Sequence, residues 1–161
     1  MGLMPRGLYG RIVLLVSSII IAGILIYGFV NFKTQSKYLE EVIKQNAVTM
    51  TKNLSISCAD YLIISDYGSM ELFLTRFAEF PDISRIQIYD TNGHVLSDIV
   101  HDRKSPPALR FGSPLLKPPD SLRTSIEIKE ENMIVLQPIM AGNVLGWAKI
   151  TYKMDMITEM N

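Results

Sequence analysis

Six side chains in this sequence have the chemistry to grip a small solute together: Tyr89, His94, Arg110, Arg123, Gln137 and Lys149. Arginine and lysine suit a carboxylate, the first through two parallel hydrogen bonds, the second as a compact charge. Tyrosine, histidine and glutamine add a hydroxyl, an imidazole and an amide. Trp147 and Lys149 alternate with Ala148 and Ile150, so the two share one face of a strand, where Trp147 reads as ordinary core. Catalytic groups are missing from this inventory. His94 and His101 flank a strand with Asp98 and Asp102 nearby, but their spacing matches no established metal-ligand motif. There is no phosphate loop, nucleophile elbow or dinucleotide fingerprint. The carboxylate pairs Glu40-Glu41 and Glu130-Glu131 are sequence neighbours, which do not converge on one substrate. Cys58 is the only cysteine, so no intrachain disulfide forms, and its helical setting marks it as a small packing residue. The chemistry on offer is recognition: no enzyme and no cofactor are expected.

Positioning such groups falls first to a β-hairpin. In "RIQIYDTNGHVLSD" Ile86 and Ile88 alternate with Arg85, Gln87 and Tyr89, and Asn92-Gly93 fits the centre of a type I′ turn. That register sets Ile86, Ile88, Val95 and Ile99 on one face and Gln87, Tyr89, His94, Leu96 and Asp98 on the other. One face is core and the other mixed. Residues 101–120 follow, with prolines at 106, 107, 114, 118 and 119, as an irregular connection of the kind that often serves as a binding loop or lid. Three more strands are expected at about Leu122–Lys129, Met133–Met140 and Val144–Tyr152, joined by turns too short for anything but antiparallel pairing.

Upstream the pattern is helical. Ile12–Phe32 contains no charged residue and, as a helix, is about 30 Å long, the thickness of a bilayer's hydrocarbon core. Leu39, Ile43, Met50, Leu54 and Tyr61 continue a helical stripe, so one helix is expected from about Arg11 to Ser65. Asn46 and Asn53, seven apart, are residues that can fix register in a helix pair. Gly68 is the expected stop and Ser69 the next cap. Met70, Phe73, Leu74 and Phe77 then form the apolar face of a short helix that Pro81 closes. Acidic and basic residues balance at 16 each, and no basic stripe marks a nucleic-acid partner. The expected fold is therefore α+β: a transmembrane helix continuing into a long amphipathic helix, a short helix, and a five-stranded, mostly antiparallel sheet. The divisions are a cytoplasmic leader at 1–11, the span at 12–32, a globular domain at 33–155 and the start of a further helix at 156–161.

The span, its helical continuation, "EFPDISRIQIYDTNGHVLSD" and the closing "VLGWAKITYKMD" together resemble the extracytoplasmic Cache (PAS-like) sensor regions of bacterial transmembrane receptors. The resemblance covers about residues 12–155. It implies a single-pass protein of the inner (cytoplasmic) membrane with its globular part outside, binding a small-molecule ligand and working as a homodimer through its long helix. Such receptors continue through a second span into a kinase, cyclase or chemotaxis output, which this sequence does not reach. Ligand contacts in that family vary too much to transfer, so the six candidates above rest on face arguments alone. The rival expectation is a pilin-like structural subunit, for which Gly7 stands before an apolar run, although Arg11 and Ile12 do not fit the pilin pattern.

Overall fold

A computed structural model describes residues 8–102, 104–129 and 132–154. Residues 1–7 of the expected leader, the turn residues Glu130 and Glu131, and the expected helix start at 156–161 lie outside the described residues. The chain divides into two compact units, Met1–Ile43 and Lys44–Asn161. In order, the elements are α1 (Leu8–Ile64), α2 (Tyr67–Phe77), β1 (Ile83–Asp90), β2 (Val95–Val100), β3 (Ala108–Leu109), β4 (Ser125–Lys129), β5 (Asn132–Ala141) and β6 (Asn143–Lys153).

In the first unit, the stretch of α1 from Gly10 to Phe29 is long and apolar enough to cross a membrane, and none of it is buried inside the protein.

In the second unit, α1 buries Ala47, Thr51, Leu54, Ser55, Cys58 and Ala59, a stripe at helical spacing. It stops at Ile64 because Ser65 turns into the left-handed region with φ 57°, letting the Asp66 N–H donate to the Tyr61 carbonyl at 3.0 Å. Gly68 is therefore not the helix stop. It lies inside α2, whose N-cap is Asp66: the carboxylate accepts the Ser69 N–H at 3.1 Å. Asp outcompetes Ser69 for the cap because its position precedes the first turn and its charge suits a helix N-terminus. Met70 and Leu74 of α2 are fully buried, while the Phe73 ring lies between those of Tyr61 and Phe77, tilted against both.

The sheet has six strands in the order β3-β2-β1-β6-β5-β4, all neighbours antiparallel. The additional strand is β3, a two-residue pairing of the proline-rich segment with the outer edge of β2. Away from the turn the hairpin keeps the expected register, Ile86 opposite Ile99 and Ile88 opposite Ser97. The turn itself differs. Only Gly93 has positive φ, at 87°, and the Gly93 N–H donates to the Asp90 carbonyl at 3.1 Å, which makes a type I turn followed by a glycine bulge. The Asp90 carboxylate selects it by accepting the Asn92 and His94 N–H groups at 2.8 and 2.9 Å.

Alternation along the central strands gives the sheet two different faces. Ile86, Ile88, Val135, Ile139, Ala148, Ile150 and Tyr152 turn toward the helices and are buried. The Thr51 hydroxyl donates to the Ala47 carbonyl at 2.8 Å, and the Tyr152 hydroxyl lies 3.0 Å from Thr51 Oγ1 and 3.2 Å from that carbonyl. These contacts fasten the last strand to α1. On the opposite, outer face lie Gln87, Tyr89, Trp147 and Lys149. β1 and β6 approach closely at Gly146, where a Cβ would stand 2.2 Å from the Tyr89 carbonyl oxygen.

Ser65 holds a left-handed conformation that costs a non-glycine residue about 1 kcal/mol. Ser65→Gly is expected to stabilise the protein by about that amount, read as a higher denaturant midpoint at unchanged slope.

Candidate functional site

The outer face of the sheet carries a cavity of about 230 Å³, lined by Tyr89, Leu116, Lys117, Ser125, Glu127, Ile134, Leu136 and Lys149. β1 and β6 place Tyr89 and Lys149 in it by alternation, β4 and β5 supply the far wall, and the proline-rich segment supplies Leu116 and Lys117 as a cover. Its floor is apolar at Ile134 and Leu136; the polar groups stand around that floor. An apolar floor ringed by polar groups is a surface on which a small molecule can be oriented.

Lys149 is the distinctive group. Burial, and after it the positive charge of Arg85, lower the pKa of its ammonium; Lys129 adds to the effect, while Glu127 and Asp98 oppose it. Among the described residues no carboxylate lies within ion-pair distance of Lys149, and Glu127 is engaged with Lys129 at 2.8 Å. With Lys117 on the covering segment, the cavity offers two ammonium groups against one carboxylate already paired. The Tyr89 phenol, pushed up to about 12 by burial, stays protonated and able to donate. Trp147 stacks on Tyr89 at 5.9 Å between centroids, and its buried indole N–H has no partner among the described residues. The face is rich in donors and short of acceptors, so an anion complements it.

Next to this cavity is a buried charge. Asp98 is 1% exposed. Arg85 grips it bidentately, Nε to Oδ1 at 2.8 Å and Nη2 to Oδ2 at 2.5 Å; Gln87 Nε2 donates at 3.2 Å and the Ser113 hydroxyl donates to Oδ2. Burial alone raises the Asp98 carboxyl, but hydrogen bonds from Arg85 and Ser113, the Arg85 charge and Gln87 together hold it below the usual carboxylate range. Gln87 is paired with Asp98 on one side and Lys149 on the other, so a polar row runs across the sheet from β2 to β6.

Of the six sequence candidates, the structure brings two together, Tyr89 and Lys149. His94 sits exposed at the hairpin turn, Nδ1 3.2 Å from Asp90 Oδ2. Arg110 lines a smaller cavity of about 90 Å³ at the sheet edge, beside Glu71 and Ser97. Arg123 is exposed in the segment before β4, its N–H bonded to Ser121 Oγ at 3.2 Å. Gln137 falls on the helix-side face, opposite Ala148, and accepts the Thr124 hydroxyl at 2.5 Å. Among the described residues no three His, Cys, Asp or Glu side chains gather as metal ligands. Sequence reasoning did not identify Glu127, Ser125, Leu116 and Lys117 as cavity walls; strand alternation could have placed Glu127 and Ser125 on the outer face once the pairing of β4 with β5 was known.

No family model and no curated protein matches the chain. Solved structures do. The extracellular domain of a protein described as a histidine kinase, vpHK1S-Z8, superposes with a TM-score of 0.65 at 16% identity over 79% of this chain and 56% of that one. A domain of a sensory box/GGDEF family protein from Vibrio parahaemolyticus superposes with a TM-score of 0.55 at 12% identity, over 78% of this chain and 57% of that one. The chain thus spans a little over half the length of each. The fold is a PAS/Cache-like α+β arrangement: one long helix with an apolar amino-terminal stretch, a short helix, and an antiparallel sheet.

Removing Arg85 strands a buried carboxylate. Arg85→Ala is expected to cost about 3 kcal/mol at neutral pH. Because the Asp98 carboxyl is depressed in the folded state, its contribution is complete above about pH 3.9, the unfolded-state value, and is lost as pH falls through the lower folded value. The gap between wild type and variant should therefore close on acidification, as followed by denaturant titrations between pH 7 and pH 3.

Proposed function

We propose that this chain is the ligand-sensing input module of a bacterial membrane receptor, of the Cache type, with α1 crossing the cytoplasmic membrane once near its start and the sheet outside the cell. Its ligand is a small solute bearing a carboxylate, held in the outer-face cavity. One observation carries this reading: Lys149 is a half-buried ammonium in a cavity of about 230 Å³ with no ion pair among the described residues. A bound carboxylate supplies the missing charge, with Lys117 and the Tyr89 hydroxyl as further contacts. The likeness of fold to an extracellular domain of a described histidine kinase supports the sensing role.

The route out of the site runs through β6. Lys149 lies on one face of that strand and Tyr152 on the other, within hydrogen-bond distance of α1 at Thr51. A ligand that draws the cover and Lys149 together shifts β6 against α1, provided it binds the shifted state more tightly. The helix then carries a small slide or rotation along its axis.

The module works as a homodimer through α1. On the helix face turned away from the sheet, Asn46, Thr49, Asn53, Ile56, Asp60 and Ile63 recur at heptad positions and are all exposed. A parallel copy would set Asn53 against Asn53 and Ile56 against Ile56, the pairing that fixes register in two-stranded coils.

Two tests follow from this reading. For the ligand, thermal shifts of the full chain in detergent micelles against a panel of small mono- and dicarboxylates should find one that raises the midpoint, and Lys149→Met should abolish that rise. At a hundredfold excess over Kd the stabilisation is about 2.7 kcal/mol, well within detection. A panel without a hit, or an unchanged response in the variant, would sink the carboxylate reading. For the dimer, Ile56→Glu should convert the micelle-embedded chain to a monomer by sedimentation; an unaltered mass removes α1 as the interface.

A further inference from the structure

We propose that the gap between β2 and residues 110–113 is a second binding site, which takes a small zwitterion of the amino-acid class with Arg110 on its carboxylate and Glu71 on its ammonium. The gap opens where the sheet edge comes apart. β3 pairs with β2 only at Ile99 and Val100, and the pairing ends with the Arg110 N–H donating to the Asp98 carbonyl at 2.7 Å. Gly112 then takes a left-handed conformation, φ 73°, and the next tie to β2 is the Ser113 hydroxyl, which donates to the Asp98 carboxylate. β2 is irregular over the same stretch. Ser97 lies opposite Ile88 and Val95 opposite Tyr89, so Leu96 is an extra residue with no counterpart on β1. Between the two irregular segments lies a cavity of about 90 Å³, which shares no lining residue with the outer cavity.

Polar side chains on this wall lack partners among the described residues. Ser97 is 3% exposed, and its buried hydroxyl makes no hydrogen bond there. A hydroxyl left so costs free energy that a bound polar group recovers. Glu71, from α2, and Arg110 border the same cavity with opposite charges, and among the described residues neither forms an ion pair with the other or elsewhere. The Asp98 carboxylate also reaches the wall, but Arg85, Gln87 and Ser113 already occupy it. A simple anion drawn to Arg110 would face Glu71, and a simple cation drawn to Glu71 would face Arg110. A molecule carrying both charges a few bonds apart satisfies both. The Ser97 hydroxyl, donor and acceptor at once, serves either end. At about 30 Å³ per water the cavity has room for about three waters, the bulk of glycine or alanine.

The probe is radiolabelled glycine, its binding to the full chain in detergent micelles measured by equilibrium dialysis. Saturable binding is expected, weakened about tenfold by Arg110→Gln and by Glu71→Gln, each of which removes one charge-assisted bond, and unchanged in Lys149→Met. Acetate and methylamine, which carry one charge each, should displace the label about tenfold less well than unlabelled glycine. Ser97→Ala should weaken glycine severalfold without lowering the ligand-free thermal midpoint, because the hydroxyl it removes holds nothing in the fold. Absence of saturable binding overturns the site. So does acetate displacing the label as well as glycine does, which leaves Glu71 no part. A lowered midpoint with unchanged affinity in Ser97→Ala makes that residue a support of the fold and overturns the site as well. Binding lost in Lys149→Met but kept in Arg110→Gln puts glycine in the outer cavity, which overturns the edge site and favours the sensing cavity. Binding that needs Arg110 and Glu71, in a chain that takes no carboxylate beside Lys149, leaves the edge site standing and removes the carboxylate reading.

Discussion

Strand β6 lies between β1 and β5 at the centre of the sheet, and its strict alternation divides the molecule's work. Ala148, Ile150 and Tyr152 close the core against the helices; Trp147 and Lys149 face outward. Because a strand's side chains repeat every two residues, one slip in register would exchange the two sets, placing an ammonium in the core and two apolar side chains in the cavity. Three local features hold the register. Gly146 lets β1 approach where any Cβ would collide, Tyr152 meets Thr51 on α1, and the Tyr89–Trp147 stack joins the strands on the outer face. The cavity wall and the helix contact are thus two sides of one strand.

A second constraint is the charge at Asp98. A carboxylate with 1% exposure survives only when its lone pairs are used, and here a bidentate arginine, an amide and a hydroxyl use them. An apolar pair of the same volume would pack as well and avoid the desolvation cost. What the charge adds is direction: the carboxylate gives the proline-rich segment one fixed place to attach on a sheet face otherwise occupied by Tyr89, Trp147 and Lys149. After burial, the charge of the same arginine lowers the Lys149 ammonium, so the Arg85–Asp98 pair and the cavity lysine share one electrostatic environment.

Much of this was legible from local periodicity. The helical stripe at Leu54 and Cys58, the apolar face at Met70 and Leu74, and the hairpin register pairing Ile86 with Ile99 all follow from spacing, because a period of 3.6 or 2 is a property of the chain alone. Local competition between side chains was harder to read. Asp66 took the cap from Ser69, and Asp90 bent the hairpin into a type I turn with a bulge, in each case because a carboxylate beside free N–H groups outweighed the glycine signal two or three residues on.

Composition and spacing by themselves determined an apolar helix long enough for a bilayer, a long amphipathic helix, and strands with one apolar and one mixed face. They also supplied the polar residue types spaced along those strands. Only the tertiary structure decided which of those residues meet. Tyr89 and Lys149 share a cavity because β6 pairs with β1, far from it in sequence; Gln137 turns to the helix side because its partner is Ala148; Arg123 stays in solvent because β4 begins after it. Asp98 meets Ser113 only because the proline-rich segment folds back toward β2, while Arg85 and Gln87 reach it from β1. Side-chain direction is written in the local period, whereas neighbours across a sheet depend on strand order, which no single segment encodes.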